Sequence, residues 1–325
     1  MKTKAICINK TGGPEVLTLK KVNIKKLEPN EVLIKHEAIG LNFIDIYHRT
    51  GVNSLPLPFI PGLEGSGVIE EIGSCVKEFN KGDRVAYCTG PVGSYCQHRS
   101  FPADKLVPLP DDVDFQDAAA MLLKGFTAEY LIHRAYKVRP GEEVLLHAAA
   151  GGVGTILCQW LKKLGAIVIG TVGSPEKAAY AMEHGCDFTI LYREEDVVSR
   201  VLELTDGQGV SVVYDSVGKE TFNISLNCIA RRGYFISFGN SSGLVAPFLP
   251  MLLAEKGSLF FSRPSLMDYC STQNELLKAS ESLFNFFRNG LKINIDSRLP
   301  LEEVKKAHEV LENRLTKGST ILLPY

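Results

Sequence analysis

Leu145-Leu146-His147-Ala148-Ala149-Ala150-Gly151-Gly152-Val153-Gly154-Thr155 runs from an apolar strand into a glycine-rich turn and on into a helix. A second apolar strand follows over residues 166–172. Strand, glycine turn, helix and strand in that order make a dinucleotide pyrophosphate site, here placed mid-chain. The turn keeps two of the three fingerprint glycines, Gly151 and Gly154, with Ala149 in the first place. Gly151 is expected to let backbone approach the pyrophosphate, and Gly154 to let the helix pack close to its strand. Gly152 and Val153 complete the turn, and the helix over about 153–164 aims its unpaired N–H groups at the phosphates.

The second strand bears on which nicotinamide cofactor fits. An NAD site usually offers a carboxylate to the ribose hydroxyls about twenty residues past the turn. Here the strand ends Gly170-Thr171-Val172-Gly173-Ser174-Pro175-Glu176-Lys177, with no carboxylate at its tip. Ser174 can donate a hydrogen bond, Lys177 can supply a positive charge, and Tyr192 with Arg193 can close the same pocket after the next strand. Glu176 argues slightly the other way unless it serves the helix N-terminus. Gly173, Ser174, Lys177 and Tyr192 therefore point to NADP(H).

A chain of 325 residues suits two domains. Its 45% hydrophobic and 22% charged residues are those of an ordinary globular protein. A formal charge of −1 gives no field for nucleic acid or anionic membrane. No apolar run of about 18 residues suggests membrane insertion, and Met1-Lys2-Thr3-Lys4 lacks a secretion signal. The eight cysteines form no Cys-x-x-Cys pair, which fits reduced thiols and a cytoplasmic protein.

Residues 1–124 read as short apolar runs broken by Gly and Pro, a compact β unit. From 125 to 264 strands and helices alternate: strands at 188–191, 210–214, 234–238 and 258–262, helices at 194–204 and 221–230. That alternation predicts a doubly wound parallel sheet, a Rossmann cofactor domain. Residues 265–325 hold two helical segments and a terminal strand, 319–323, expected to return to the first domain. The predicted class is α/β, with domains 1–124 plus 265–325 and 125–264.

Several motifs together resemble one family. They are Gly40-Leu41-Asn42-Phe43-Ile44-Asp45, Pro61-Gly62-Leu63-Glu64-Gly65-Ser66-Gly67, Lys81-Gly82-Asp83-Arg84-Val85 and the glycine turn itself. Further along are Val213-Tyr214-Asp215-Ser216-Val217-Gly218, Ser237-Phe238-Gly239-Asn240-Ser241-Ser242-Gly243 and Arg263-Pro264-Ser265. The chain resembles the zinc-independent quinone oxidoreductases of the medium-chain dehydrogenase/reductase superfamily over nearly its whole length. The resemblance implies a GroES-like first domain, NADPH-dependent quinone reduction without metal, and a homodimer joined through the edge strand at 258–262.

Alcohol dehydrogenases of the superfamily bind catalytic zinc through a Cys and a His in the first two motifs, where this chain has Asn42 and Leu63. An amide and an alkyl group leave only Glu64 there, too few ligands for zinc. Cys88, Cys96 and His98 cluster in sequence, but their spacing fits no common metal site. Without a Lewis acid, alcohol oxidation is hard, whereas an electron-poor quinone accepts hydride unaided.

The resemblance also implies site residues. Asn42, Asp45 and Tyr47 face the nicotinamide: Asn42 to hydrogen-bond its ribose or hold water, Asp45 to orient neighbours or cap a helix, Tyr47 to wall the quinone or donate a proton. Thr127 and Tyr130 resemble cofactor contacts. The turn Phe238-Gly239-Asn240-Ser241-Ser242-Gly243-Leu244 should close over the nicotinamide at the strand ends. Val217, Arg263, Pro264, Ser265 and Lys317 are further expected contacts, whereas His147 reads as a satisfied core histidine. Two other functions remain open: an NADPH-dependent reductase of 2-alkenal or alkenone double bonds, and a non-catalytic NADPH-binding protein.

Overall fold

Gly and Pro punctuation in the first 124 residues resolves into antiparallel pairing. The computed structural model describes residues 1–325. Strands β1 (Lys2–Cys7) and β2 (Thr18–Asn23) form an antiparallel pair. Next come β3 (Glu31–Leu41), helix α1 (Phe43–Thr50), β4 (Glu64–Ile72), β5 (Arg84–Tyr87), β6 (His98–Pro102), β7 (Val107–Pro108) and helix α2 (Phe115–Tyr130).

The glycine turn opens an alternating stretch. It runs β8 (Glu143–His147), α3 (Gly152–Lys163), β9 (Ile167–Val172), α4 (Pro175–Glu183), β10 (Phe188–Leu191), α5 (Val197–Leu204), β11 (Val210–Asp215) and α6 (Phe222–Cys228). Then follow β12 (Ile229–Ser237), α7 (Met251–Glu255), β13 (Phe260–Ser262) and α8 (Leu266–Tyr269). The chain closes with α9 (Gln273–Arg288), β14 (Ile295–Pro300), α10 (Val304–Glu312) and β15 (Ser319–Leu323).

All six strands of the second sheet are parallel, ordered β10-β9-β8-β11-β12-β13. This is the 3-2-1-4-5-6 order of a Rossmann sheet, with the strand order reversing between β8 and β11. Its strands read as almost unbroken apolar runs because helices cover both faces. Leu145, Ile169, Val213 and Phe235 are buried in one core with Val197, Val201, Phe222 and Leu226 of the neighbouring helices.

The first sheet is ordered β14-β15-β3-β4-β5-β7. Strand β3 is long enough to serve two partners on one edge: residues 31–35 pair with β6 and residues 39–41 with β15. The terminal strand thus joins the first sheet, as its apolar pattern required. Strand β14, which runs parallel beside β15, carried too weak an alternation to be read from sequence.

The chain divides into two compact units, Met1–Lys124 with Cys270–Glu281 and Ile293–Tyr325, and Gly125–Tyr269 with Ser282–Lys292. The sequence reading assigned all of 265–325 to the first domain. Residues 265–269 and 282–292 instead pack with the second unit. Tyr269 stacks on Tyr130 with centroids 4.5 Å apart, Phe286 stacks on Trp160 at 4.6 Å, and Leu283 fills the space that a side chain at Gly125 would need. Two helix ends also differ. Helix α5 starts at Val197, because Asp196 caps it by accepting from Ser199 N–H at 2.8 Å, and α6 stops at Cys228, where β12 begins.

Candidate active site

The glycine turn follows β8 directly. Ala148 adopts a left-handed backbone (φ 57°), and Gly151 caps α3 in extended conformation. The first bond into the helix is Thr155 N–H to Gly151 O at 2.8 Å, so the N–H groups of Gly152, Val153 and Gly154 face out of the helix N-terminus. A Cβ at position 154 would be driven into the carbonyl oxygen of Ala148 and lie 2.7 Å from that of Ala149. Only glycine lets this helix start so close to its strand. At Gly151 an added Cβ would meet Ala148 O at 3.2 Å, a milder constraint.

Beside it, β9 ends at Val172 and leads into Gly173 and Ser174. The Ser174 hydroxyl oxygen caps α4, accepting from Lys177 N–H at 3.4 Å, which leaves its O–H hydrogen available to a ligand. A Cβ on Gly173 would lie 2.8 Å from the hydroxyl of Tyr192. Tyr192, just past β10, is therefore folded against the β9 turn, with Arg193 over its ring at 5.9 Å. Gly173, Ser174, the start of α4 at Lys177 and Tyr192 lie beside one another at the carboxyl end of β9, with no carboxylate at the strand's tip.

On the other side of the order reversal, Asp215 ends β11 and turns inward. Its Oδ1 accepts from Val217 N–H (2.7 Å) and Gly218 N–H (3.0 Å), while Oδ2 accepts the hydroxyls of Thr221 (2.6 Å) and Ser225 (3.0 Å). The turn at 238–244 is laced to this segment: Ser242 N–H and Oγ–H both donate to Val217 O at 2.8 Å, and Lys219 N–H donates to Gly243 O at 3.1 Å. Gly239 lies so close to Ser216 that a Cβ would come 2.5 Å from its carbonyl oxygen. Val217, Phe238, Gly239, Asn240, Ser241, Ser242 and Gly243 thus form one loop cluster at the carboxyl ends of β11 and β12, and Leu244 is exposed at its tip.

His147 is the buried histidine that its strand position suggested. Nδ1 lies 3.0 Å from Thr171 Oγ1 and Nε2 lies 3.0 Å from Ser225 Oγ, and burial pulls its pKa down. Since the Ser225 hydroxyl donates to Asp215, its oxygen accepts from His147 Nε2–H, and Thr171 donates to Nδ1. The imidazole so ties the carboxyl ends of β8, β9 and β11 together. In the same unit Thr127 is buried, and Tyr130 is buried under its stack with Tyr269. Arg263 donates to Pro264 O at 3.2 Å, and Ser265 is exposed.

In the first unit, α1 starts at Asn42. Asn42 Nδ2 donates to Glu64 Oε2 at 2.7 Å, Leu123 N–H donates to Glu64 Oε1 at 2.7 Å, and Lys124 Nζ stands 3.5 Å from Oε2. Asp45 caps the helix by accepting from Asn42 N–H at 3.0 Å. Its carboxyl is fully buried, and burial lifts its pKa to about 7. Tyr47 is half-buried, its ring 5.4 Å from that of Phe43. Lys317 lies far along the chain, half-buried, its carbonyl accepting from Asn294 at 3.0 Å.

Comparison with known proteins agrees with this geometry. Residues 28–143 match the alcohol dehydrogenase GroES-like domain and residues 152–279 the zinc-binding dehydrogenase domain. A quinone oxidoreductase of Pseudomonas aeruginosa is 50% identical over 315 residues, 96% of this chain and 97% of the relative. The chain belongs to the quinone oxidoreductases of the medium-chain dehydrogenase/reductase superfamily. The structure of Escherichia coli quinone oxidoreductase complexed with NADPH superposes on it with a TM-score of 0.97 at 45% identity, covering 99% of this chain and all of the other. A 2-haloacrylate reductase from a Burkholderia species is 43% identical, with 98% of each chain covered.

Despite the matched domain's description, this quinone oxidoreductase does not offer a zinc site. Asn42 contributes an amide, Leu63 an alkyl chain, and Glu64 is already engaged by Asn42, Leu123 and Lys124. No three His, Cys, Asp or Glu side chains gather in a metal-holding group, and Cys88, Cys96 and His98 do not form one. Sequence reasoning missed four side chains that organise α1: Lys124, Arg49, Tyr95 and His308. Nothing local marks them, because each matters only through a partner distant in sequence.

Proposed function

We propose that the protein reduces quinones with NADPH and without a metal. The carrying observation is the donor set at the start of α1: an asparagine amide held by a buried carboxylate stands where the superfamily's alcohol dehydrogenases hold zinc. Such a site suits an acceptor that takes hydride without Lewis-acid help. The fit to NADPH rests on the Gly154 approach and on the Gly173–Tyr192 corner, each a space that a Cβ would fill.

Gly151, Gly152, Val153 and Gly154 would hold the pyrophosphate. Gly173, Ser174, Lys177 and Tyr192 would hold the 2′-phosphate, with Val217 and the 238–244 turn serving the nicotinamide end. The remaining proposed cofactor contacts are Asn42, Thr127, Tyr130, Arg263, Pro264, Ser265 and Lys317. Bound there, the cofactor supplies the hydride. Asn42 presents a hydrogen-bonding amide, and Tyr47 offers an aromatic wall or a proton for the reduced acceptor's oxygen. Asp45 orients rather than reacts, being buried within the helix start.

The β13 edge has no strand on its outer side, and Phe260, Leu249 and Met251 nearby are exposed. These features support a homodimer joined edge to edge through 258–262. Eight free cysteines, seven of them buried, support a reducing, cytoplasmic setting. Residues 1–124 with most of 265–325 would be the GroES-like catalytic domain, and 125–264 the cofactor domain.

NADPH oxidation followed at 340 nm, with 1,4-benzoquinone and a 2-alkenal side by side and NADH as control, tests the reading. Fast turnover of the quinone with NADPH is expected. Turnover of the alkenal alone would move the enzyme to the double-bond reductases, a chemistry close to that of the 2-haloacrylate reductase relative. NADPH binding without turnover of either acceptor would leave a binding protein.

A further inference from the structure

Helix α1 is held by a chain of buried side chains that leaves the helix at one residue and returns one turn earlier. Arg49 is 1% exposed, and its Nε donates to Gly12 O at 3.1 Å. Its Nη2 pairs with Glu312, and its Nη1 lies 3.1 Å from His308 Nδ1. His308 Nε2 lies 3.1 Å from the Tyr95 hydroxyl, which donates to Asp45 Oδ2 at 2.8 Å. His308, Tyr95 and Asp45 are all 0% exposed.

The direction of every bond in this chain is forced. A guanidinium only donates, so His308 Nδ1 accepts and the ring proton sits on Nε2. That N–H donates to the Tyr95 oxygen, and the Tyr95 hydrogen is committed to Asp45. Asp45 Oδ2 then holds both Tyr95 O–H and Asn42 N–H, while Oδ1 has no partner. Because arginine does not give up its proton, the chain polarises and orients but does not conduct.

We propose that Tyr95 and His308 are positioning residues of the reductase site, fixing the Asp45 carboxyl and through it the start of the helix that carries Asn42 and Tyr47. This rests on the proposed reading of Asn42 and Tyr47 as groups facing the cofactor and acceptor. The ionised carboxylate accepts both bonds more strongly than the neutral acid does and complements the helix N-terminus. Burial raises the Asp45 pKa first, Glu64 raises it further, and the bonds from Asn42 and Tyr95, with the charge on Lys124, draw it back. Beyond these, Arg49 and His308 act through Tyr95.

The test reads the carboxyl directly, by carbon-13 NMR titration of Asp45 in the full-length protein, beside the pH profile of kcat/KM. Tyr95→Phe removes a donor to the ionised form, so the Asp45 midpoint and the acid limb of the profile should both move up by about one pH unit. His308→Gln can accept from Arg49 and donate to Tyr95, so it should keep the wild-type midpoint, whereas His308→Leu, which keeps the Tyr95 O–H on Asp45 but removes the donor behind it, should raise the midpoint by less than Tyr95→Phe does. In the wild type, nitrogen-15 spectra should show His308 neutral with its proton on Nε2. A proton on Nδ1, an unmoved midpoint in Tyr95→Phe, or equal behaviour of the Gln and Leu variants would overturn the chain. A shifted midpoint beside an unmoved acid limb would overturn its service to the reductase site by removing Asn42 and Tyr47 from the reacting groups, while the chain itself stands.

Discussion

Asn42 Nδ2 donates to Glu64 Oε2 across 2.7 Å, and that bond settles which way the amide faces. A carboxylate cannot donate, so the nitrogen must lie toward Glu64 and Asn42 Oδ1 is left as an acceptor. Glu64 can fill this role because Lys124, 7% exposed, neutralises it 3.5 Å away. Removing one member of a buried ion pair leaves the other charge uncompensated, at about 3–5 kcal/mol. Lys124→Met should therefore lower the unfolding free energy by about that amount, and the double change Lys124→Met, Glu64→Gln should recover much of it. Urea unfolding checks this. Additive losses would show that the two side chains do not act as a pair.

How far the sequence reads depends on how local the deciding interaction is. The glycine turn at 151–154, the parallel strands around it and the strand at 319–323 rest on short-range patterns, and the structure contains each of them. The Gly173, Ser174 and Tyr192 corner was legible because each residue directly follows a strand, and parallel strands end together. The Arg49–His308–Tyr95–Asp45 chain was not legible: its bonds join residues 259, 213 and 50 positions apart. The packing of 282–292 with the second unit was missed for a related reason. An amphipathic helix such as α9 announces a buried face, but not which core buries it.

Lys177 and Ser174 should discriminate between the two nicotinamide cofactors. Each contact to a 2′-phosphate is a hydrogen bond to a charged group, worth about 1.5–3 kcal/mol. Lys177→Ala is expected to reduce kcat/KM for NADPH about 10- to 100-fold while leaving that for NADH unchanged. Steady-state kinetics with both cofactors decide it. An equal loss with NADH would mean that Lys177 supports the fold of α4 and not the phosphate.

Gly154→Ala should damage the cofactor turn without removing any chemical group. Its methyl would press on the carbonyls of Ala148 and Ala149, which are backbone and cannot swing away. Overpacking of this kind costs about 1–3 kcal/mol. The structure relieves it by moving α3 off its strand, so NADPH affinity should fall at least about tenfold. Gly151→Ala, whose nearest contact is at 3.2 Å, should be milder. Fluorescence titration with NADPH ranks the two, and the reverse order would contradict the geometry.

The open edge at β13 makes the oligomer testable. Phe260 is 52% exposed yet stacks on Tyr234 at 4.6 Å, so it belongs partly to its own sheet and partly to whatever covers the edge. Phe260→Asp places a charge where two copies of the strand would meet. Sedimentation should show a dimer for the wild-type protein and a monomer for the variant at equal concentration. A wild-type monomer, or a variant that dimerises as well as the wild type, would move the interface elsewhere.

Acid should destabilise the protein through its buried histidines, with the raised carboxyls of Asp45 and Asp117 opposing them. Burial holds His36 and His308 down to about 3, against an ordinary 6.5, whereas it holds Asp45 up to about 7, against 3.8. Between pH 4 and 6.5 the unfolded chain therefore binds a proton at each histidine that the folded protein refuses. The folded protein keeps one at Asp45 that the unfolded chain releases. Among these three groups a net proton favours the unfolded state; His147, also lowered by burial, adds to it, and Asp117, raised by burial, subtracts. Stability should accordingly rise with pH around pH 5 by roughly 1.4 kcal/mol per unit, then flatten as the unfolded histidines lose their protons toward pH 6.5. His308→Gln deletes one titrating ring and should lower the slope by about 1.4 kcal/mol per unit, whatever it does to stability at neutral pH. Urea unfolding of both proteins at several pH values from 4.5 to 6.5 gives the slopes. Identical slopes would show that His308 takes up its proton in the folded protein as readily as in the unfolded chain.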